Sequence, residues 1–242
     1  RAQMLAVALD ECHSQGVRVV ATTADHSTEL AVQRVRRFEE LGVDAVNILP
    51  SYFLNPDNNQ VRRHLSAILD TVTIPVIIQS LPFGGNELPL ADVVALHGDH
   101  PNLRQIKVEN VPSAGAVAQV LADSSGAVTP LVGWGGLEWR EATQAGAVGV
   151  QPGCSLTELY VEAQRHLDRG DAHGFESVFE PLRRPLEVWM RHPEVLIAVE
   201  KYILQQRGII DSAYCRHPSA DTSPADLEQA DRMIKRVAGA AA

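Results

Sequence analysis

Short apolar runs rich in β-branched residues return along this chain at intervals of roughly 20 to 30 residues, and helical patterns fill the gaps between them. The runs are "VRVVAT" from 17, "DAVNIL" from 44, "PVIIQS" from 75, "RQIKVE" from 104, "VTPLVG" from 128 and "VGVQPG" from 148. Between them, "STELAVQRVRRFEELG" opens at Ser27 with half of a capping box, since Leu30 stands where a glutamate would complete it. In "NNQVRRHLSAILDTV", Val61, Leu65, Ile68 and Leu69 fall on one helical face. Gly16, Gly42 and Gly146 sit where helices should stop and strands begin. Strands that are apolar almost throughout, alternating with helices, predict a parallel sheet covered by those helices.

The architecture this implies is α/β, a (β/α)8 TIM barrel with a C-terminal helical extension. Six βα units are visible, where a closed barrel needs eight. The chain opens inside an apolar stripe, "RAQMLAVALDE", with no N-cap and no initiator Met, so further strands are expected in front of it. A six-stranded open sheet is the alternative, but no Gly-rich phosphate fingerprint of a doubly wound nucleotide fold is present. After the last run come helical patterns alone, at 155–169, 174–191, 194–207 and 224–238. No Pro- or Ser-rich linker sets them apart, so residues 1–170 are expected to supply barrel strands and helices, and residues 171–242 a helical extension packed on them. The terminal "AGAAA" is expected to fray.

Charge narrows the partners. A formal net charge of −9 over 242 residues argues against nucleic acid or an anionic membrane surface, which need clustered Lys and Arg. No apolar run approaches the roughly 18 residues of a membrane span, and no charged-then-apolar leader precedes the body, so a cytoplasmic location is expected. Cys12, Cys154 and Cys215 are odd in number and lack a CxxC spacing, which points away from a disulfide framework or a thiolate zinc site.

In a parallel barrel the chemistry sits at the C-terminal ends of strands. Those positions here are Thr22, Thr23, Asp25, His26, Tyr52, Gln79, Ser80, Lys107, Glu109, Trp134 and Gln151. Lysine occurs only at 107, 201 and 235, and the first of these lies between Ile106 and Val108 in a strand-like run. Arginine keeps its proton in proteins, whereas a desolvated lysine can lose it and act as a nucleophilic amine. Lys107 can therefore be read as a nucleophile, or as a strand-end ammonium that snorkels to solvent and pairs with Glu109. His97 and His100 in "HGDHP" are spaced i, i+3 but lack further ligands, so no metal is expected. "GWGG" at 133–136 is read as leaving room at the barrel mouth. "DRGDAHG" at 168–174 marks the end of one helix and the start of the next.

"LGVDAVNILPSYF", "TIPVIIQSLP", "LRQIKVE", "GAVGVQPGCS" and the helical tail, spread over nearly the whole chain, resemble the dihydrodipicolinate synthase and N-acetylneuraminate lyase family. These are Schiff-base (β/α)8 barrels that act on pyruvate and related 2-oxo acids. The resemblance lays the family's sixth strand on "QIKVE", which assigns the Schiff-base role to Lys107, and matches Tyr52 to the second tyrosine of its Pro-Tyr-Tyr motif. It implies two further strands before "VRVVATTADHST", the second leading into a Gly-Thr-Thr-Gly-Glu loop for the substrate carboxylate. Thr22 and Thr23 imitate that loop in letters but follow the family's third strand, so they are read as lining residues. Two positions depart from the family. Gln79 stands where its relay tyrosine should be, and Gly84 where the synthases proper carry an arginine for the second substrate's carboxylate. An amide cannot shuttle protons as a phenol can. The expected activity is therefore a Schiff-base lyase on a 2-oxo acid, by aldol cleavage or condensation or by dehydration of a 2-keto-3-deoxy sugar acid, with Lys107 and Tyr52 catalytic and Gln79 and Gln151 binding substrate. The alternative is a non-catalytic barrel that binds a small carboxylate. No cofactor is needed, and the resemblance implies a homo-oligomer, a tetramer or dimer.

Overall fold

The computed structural model describes residues 2–51, 55–80 and 89–240. In chain order the elements are α1 (Ala2–Ser14), β1 (Val20–Thr23), α2 (Thr28–Leu41), β2 (Ala45–Ile48), α3 (Asn58–Leu69), β3 (Val76–Ser80), α4 (Leu90–Ala95), β4 (Leu103–Val108), α5 (Ser113–Asp123), β5 (Thr129–Val132), α6 (Trp139–Gln144), α7 (Thr157–Asp168), α8 (Ala172–Trp189), α9 (Pro193–Gln206) and α10 (Pro224–Ala240). They fall into two compact units, Arg1–Val132 with Glu141–Val148, and Gly133–Arg140 with Gly149–Ala242.

The first unit is the expected alternation. Helix α2 starts at Ser27, whose Oγ accepts from Leu30 N at 3.3 Å, and the apolar Leu30 gives nothing back. Helix α3 starts with the box completed by other residues: Asp57 Oδ1 accepts from Gln60 N and Gln60 Oε1 from Asp57 N, each at 2.8 Å. Val61, Leu65, Ile68 and Leu69 are buried together, as their spacing predicts. Gly42 ends α2 in the left-handed region at φ 89, which a side chain would strain.

Among the described residues the five strands are all parallel and lie in the order β1-β2-β3-β4-β5. Each strand pairs with its chain successor, so the order never reverses and no switch-point crevice of the doubly wound kind exists in this sheet. This is the winding of a barrel arc. Along each strand one set of side chains packs away from the other: Val46, Ile48, Val76, Ile78, Ile106 and Val108 are all at most 1% exposed. The intervening positions point to the opposite face. The run from 148, expected as a sixth strand, is not one. Val150 forms only an isolated bridge, and Val148 N donates to Pro130 O at 3.0 Å. Gly149 and Gly153 offer no side chain to pack, and Pro152 has no N–H to donate, so the ladder does not continue.

The second unit is helical and its core is aromatic. Trp139, 1% exposed, meets the rings of Phe175 and Phe179 edge-on at 5.4 Å each and the Tyr160 ring at 5.7 Å. Leu182, Leu186 and Trp189 of α8, with Val199 and Ile203 of α9 and Met233 of α10, complete this cluster. Asp171 caps α8 by accepting from Gly174 N at 2.8 Å, so "DRGDAHG" is the helix junction it was read to be. Among the described residues no helix is long and apolar enough to cross a membrane.

Glu200 on α9 lays its carboxylate against Gly153, where a Cβ would fall 1.7 Å from Oε1, so a side chain at 153 would push the carboxylate aside. Burial raises the Glu200 pKa above the ordinary carboxylate value, against the opposing pull of hydrogen bonds from the Cys154 backbone and the Ser155 side chain. With a raised folded-state pKa, the native protein binds more protons than the unfolded chain between the two values, so stability falls as pH climbs through that window. Glu200→Gln removes the ionisation. The stability of Glu200→Gln relative to wild type, from urea denaturation at pH 4 to 7, is expected to rise with pH. Parallel profiles for the two proteins would show that the carboxylate is solvated in the native state.

Candidate active site

The site is built on the face of the sheet opposite the helix-packed valines and isoleucines. Thr22 on β1, Asn47 on β2, Gln79 on β3 and Lys107 on β4 all occupy it by strand alternation. Glu109, two residues past Lys107, falls on the same side. Register brings Thr22 opposite Asn47 and Gln79 opposite Lys107.

These side chains form one connected chain of hydrogen bonds. Lys107 Nζ lies 2.9 Å from Glu109 Oε1, with the two side chains 14% and 5% exposed. Gln79 Nε2 donates to the same Glu109 oxygen at 2.8 Å. Asn47 Nδ2 donates to Gln79 Oε1 at 3.2 Å and reaches Thr22 Oγ1 at 3.4 Å. Asn47 is 2% exposed, and its Oδ1 is buried with no hydrogen-bond partner among the described residues. A charged pair this deep is tolerated only where geometry is good and the remaining polar valences are met, which Gln79 helps to do for the carboxylate.

Beside this chain, Thr23 Oγ1 donates to Asp25 Oδ2 at 2.6 Å, and Arg34 grips Asp25 through Nε and, at 2.8 Å, through Nη2. The carboxylate beside Arg34 raises the guanidinium pKa above its ordinary value. Asp25 thus ties the loop after β1 to α2. Ser51 Oγ lies 3.3 Å from His26 Nδ1. His64 of α3, 5% exposed, contacts Thr28 Oγ1 through Nδ1 at 2.9 Å, and burial lowers its pKa. His97 Nδ1 contacts Leu103 O at 2.9 Å and His100 Nδ1 lies 3.2 Å from Asp70, so this pair serves two separate turn contacts.

Of the residues singled out from sequence, Lys107 and Gln79 are brought together, with Glu109 between them. Gln79 has both ends of its amide engaged by protein groups. Tyr52 and Gly84 lie outside the described residues. Trp134 and Gln151 belong to the second unit, Trp134 at φ 48 and Gln151 with its Oε1 buried and unpartnered. Sequence reasoning named Glu109 only as a counter-charge and passed over Asn47, although an amide between Val46 and Ile48 is the one polar side chain in "AVNI".

A singly wound parallel sheet with a paired lysine on its inner face fits the arc of a parallel barrel. Comparison with known proteins is specific: the model of the dihydrodipicolinate synthetase family matches residues 1–237, and the chain belongs to that family. A 4-hydroxy-tetrahydrodipicolinate synthase of Thermomicrobium roseum is 27% identical over 237 residues, covering 94% of this chain and 74% of that protein. An L-2-keto-3-deoxyarabonate dehydratase of Azospirillum brasilense is 24% identical over 216 residues, covering 86% of this chain and 68% of its relative. Among solved structures, YagE of E. coli K12, a prophage protein of the dihydrodipicolinic acid synthase family in complex with pyruvate, superposes with a TM-score of 0.83 at 18% identity, over 98% of this chain and 80% of that one. The fold is therefore that of the family's (β/α)8 TIM barrels, with a helical C-terminal region.

The pair at the centre of the site has a testable energetic signature. Lys107→Met leaves Glu109 buried without this cation and is expected to cost about 3–5 kcal/mol of stability. Adding Glu109→Gln should restore most of that loss. Denaturant midpoints of the two single variants and the double variant at neutral pH measure the coupling. Additive losses would mean the two charges do not depend on each other.

Proposed function

We propose that the protein is a Schiff-base lyase acting on a 2-oxo acid, with Lys107 as nucleophile and Glu109 as its proton carrier. The observation that carries this reading is the 2.9 Å contact between Lys107 Nζ and Glu109 Oε1 on the inner face of β4. The names of relatives support it: one is a 4-hydroxy-tetrahydrodipicolinate synthase, another an L-2-keto-3-deoxyarabonate dehydratase, and a structural neighbour binds pyruvate.

Glu109 takes a proton from the Lys107 ammonium, and the neutral amine attacks the ketone carbon. As the C–N bond forms, the carbonyl π pair moves to oxygen. That oxygen leaves as water once protonated, giving an iminium on Nζ. The iminium draws electrons from the adjacent carbon, so its proton can pass to the Glu109 carboxylate, and the resulting enamine expels hydroxide as water in a dehydration. In aldol cleavage the hydroxyl on the far carbon instead gives its proton to Glu109 and becomes an aldehyde carbonyl as the C–C bond breaks, and the electron pair of that bond flows into the iminium to form the enamine. A carboxylate within hydrogen-bond reach of the reacting nitrogen can serve each of these transfers, which supports an acid–base role for Glu109 where the phenol is replaced by Gln79. Gln79 then acts as a positioning residue for Glu109. Tyr52 is assigned a second acid–base role by its motif alone.

Borohydride reduction in the presence of pyruvate or a longer 2-oxo acid is expected to add the acid's mass to the Lys107 peptide. Lys107→Arg should neither trap nor turn over, because a guanidinium is not a neutral nucleophile. Glu109→Gln should still trap slowly while kcat falls by about 10² to 10⁴. Labelling at Lys201 or Lys235, or labelling that persists in Lys107→Ala, would remove the mechanism.

A further inference from the structure

The geometry points to a second small-molecule site at the N-terminal end of the sheet, a groove that takes an α-amino acid with an apolar side chain. The groove lies wholly within the first unit, toward the opposite end of β4 from Lys107, and does not depend on the Schiff-base reading.

Strand register gives the first sign. Val76 of β3 pairs with Leu103 of β4, but the next residue, Ile77, pairs with Gln105, so Arg104 has no opposite number on β3. The extra residue is a bulge, and it breaks the alternation of the strand. Leu103 and Ile106, three positions apart, are both 0% exposed, where a regular strand would send them to opposite faces. Arg104 is thereby turned out of the ladder and stands exposed at an open groove of about 730 Å³, a volume ordinary for small-molecule sites.

The walls of this groove are braced. Asn102 Nδ2 donates to Leu69 O at 2.9 Å and to Val72 O at 2.7 Å, which joins the turn before β4 to the end of α3. His100 Nδ1 lies 3.2 Å from Asp70 Oδ1 and links the same two segments. Glu39 of α2 accepts from Thr73 N at 2.7 Å and from Ile74 N at 3.2 Å, which fixes the chain between α3 and β3. Walls held in this way lose little conformational freedom when a ligand enters.

The chemistry offered is dipolar. Leu69, Val72, Pro75 and Pro101 contribute apolar surface. Arg104 and Asp99, both exposed, make no side-chain hydrogen bond or ion pair among the described residues. A guanidinium fork matches a carboxylate, and a carboxylate accepts from an ammonium. Asp70, 70% exposed beside His100, is a second acceptor for that ammonium. A simple acid would meet Arg104 but face two carboxylates, and a simple amine would meet the carboxylates but face Arg104. A molecule that carries both charges on one carbon and a hydrocarbon side chain suits all three kinds of surface.

The test is equilibrium dialysis of the whole chain against leucine, against 4-methylpentanoate, which is leucine without its amine, and against 3-methylbutylamine, which is leucine without its carboxylate. Leucine is expected to bind saturably and about tenfold or more tighter than either analogue, because each analogue leaves one charged group unmatched. Arg104→Gln should weaken leucine and spare the amine, whereas Asp99→Asn should weaken leucine and spare the acid. Both positions are exposed, so neither change threatens the fold. Lys107→Arg should bind leucine as wild type does, since the groove is remote from that amine. No saturable binding of leucine, equal affinity for all three compounds, or leucine affinity unchanged by Arg104→Gln overturns the site. Loss of leucine binding in Lys107→Arg would move the binding to the inner face of the sheet and overturn it as well.

Discussion

The ion pair between Lys107 and Glu109 is the constraint around which the first unit is organised. Two charges this far from water are costly unless they meet closely and their remaining valences are filled. The parallel ladder provides for that: Gln79 is the register partner of Lys107, which brings its amide to the Glu109 oxygen that Lys107 also touches. The demand then passes outward one strand at a time, from Gln79 to Asn47 to Thr22. On the other face the same strands carry Val46, Ile48, Ile78 and Ile106, which pack without any polar requirement. Strand alternation thus separates the sheet into a face that stabilises the fold and a face available for chemistry.

Much of this was legible in the sequence because it depends on local pattern. Five apolar runs became strands within a few residues of where they were read, and Val61, Leu65, Ile68 and Leu69 chose the buried face of α3 by spacing alone. The run at 148 misled because its valines carry a strand signal that its glycines and Pro152 cancel. Lys107 was singled out by its residue type, an amine between Ile106 and Val108. The roles of Glu109 and Asn47 were hidden for a different reason. Their meaning lies in cross-strand geometry, with Asn47 bonded to a glutamine 32 residues away, and a one-dimensional pattern does not report register. Family resemblance did not help at Asn47 either, since it directs attention to matched positions.

The substitution at Gln79 gains a physical account from this geometry. Read alone, an amide in place of a phenol is a lost proton relay. In the structure it is a connector with its donor and acceptor on separate atoms, long enough to touch Glu109 on one side and Asn47 on the other. A hydroxyl could also bridge two groups, but it can rotate, and it would not fix which neighbour must donate. The amide transmits the polarity of Glu109 across the sheet in one sense only, and it ends in an acceptor on Asn47. In the proposed mechanism the mobile proton sits on Glu109, two residues from the nucleophile and one past the end of β4, where its backbone N–H donates to Ser80 O at 3.0 Å, so the two reacting groups are held by one stretch of chain. A site that works in this way needs no titratable group at position 79.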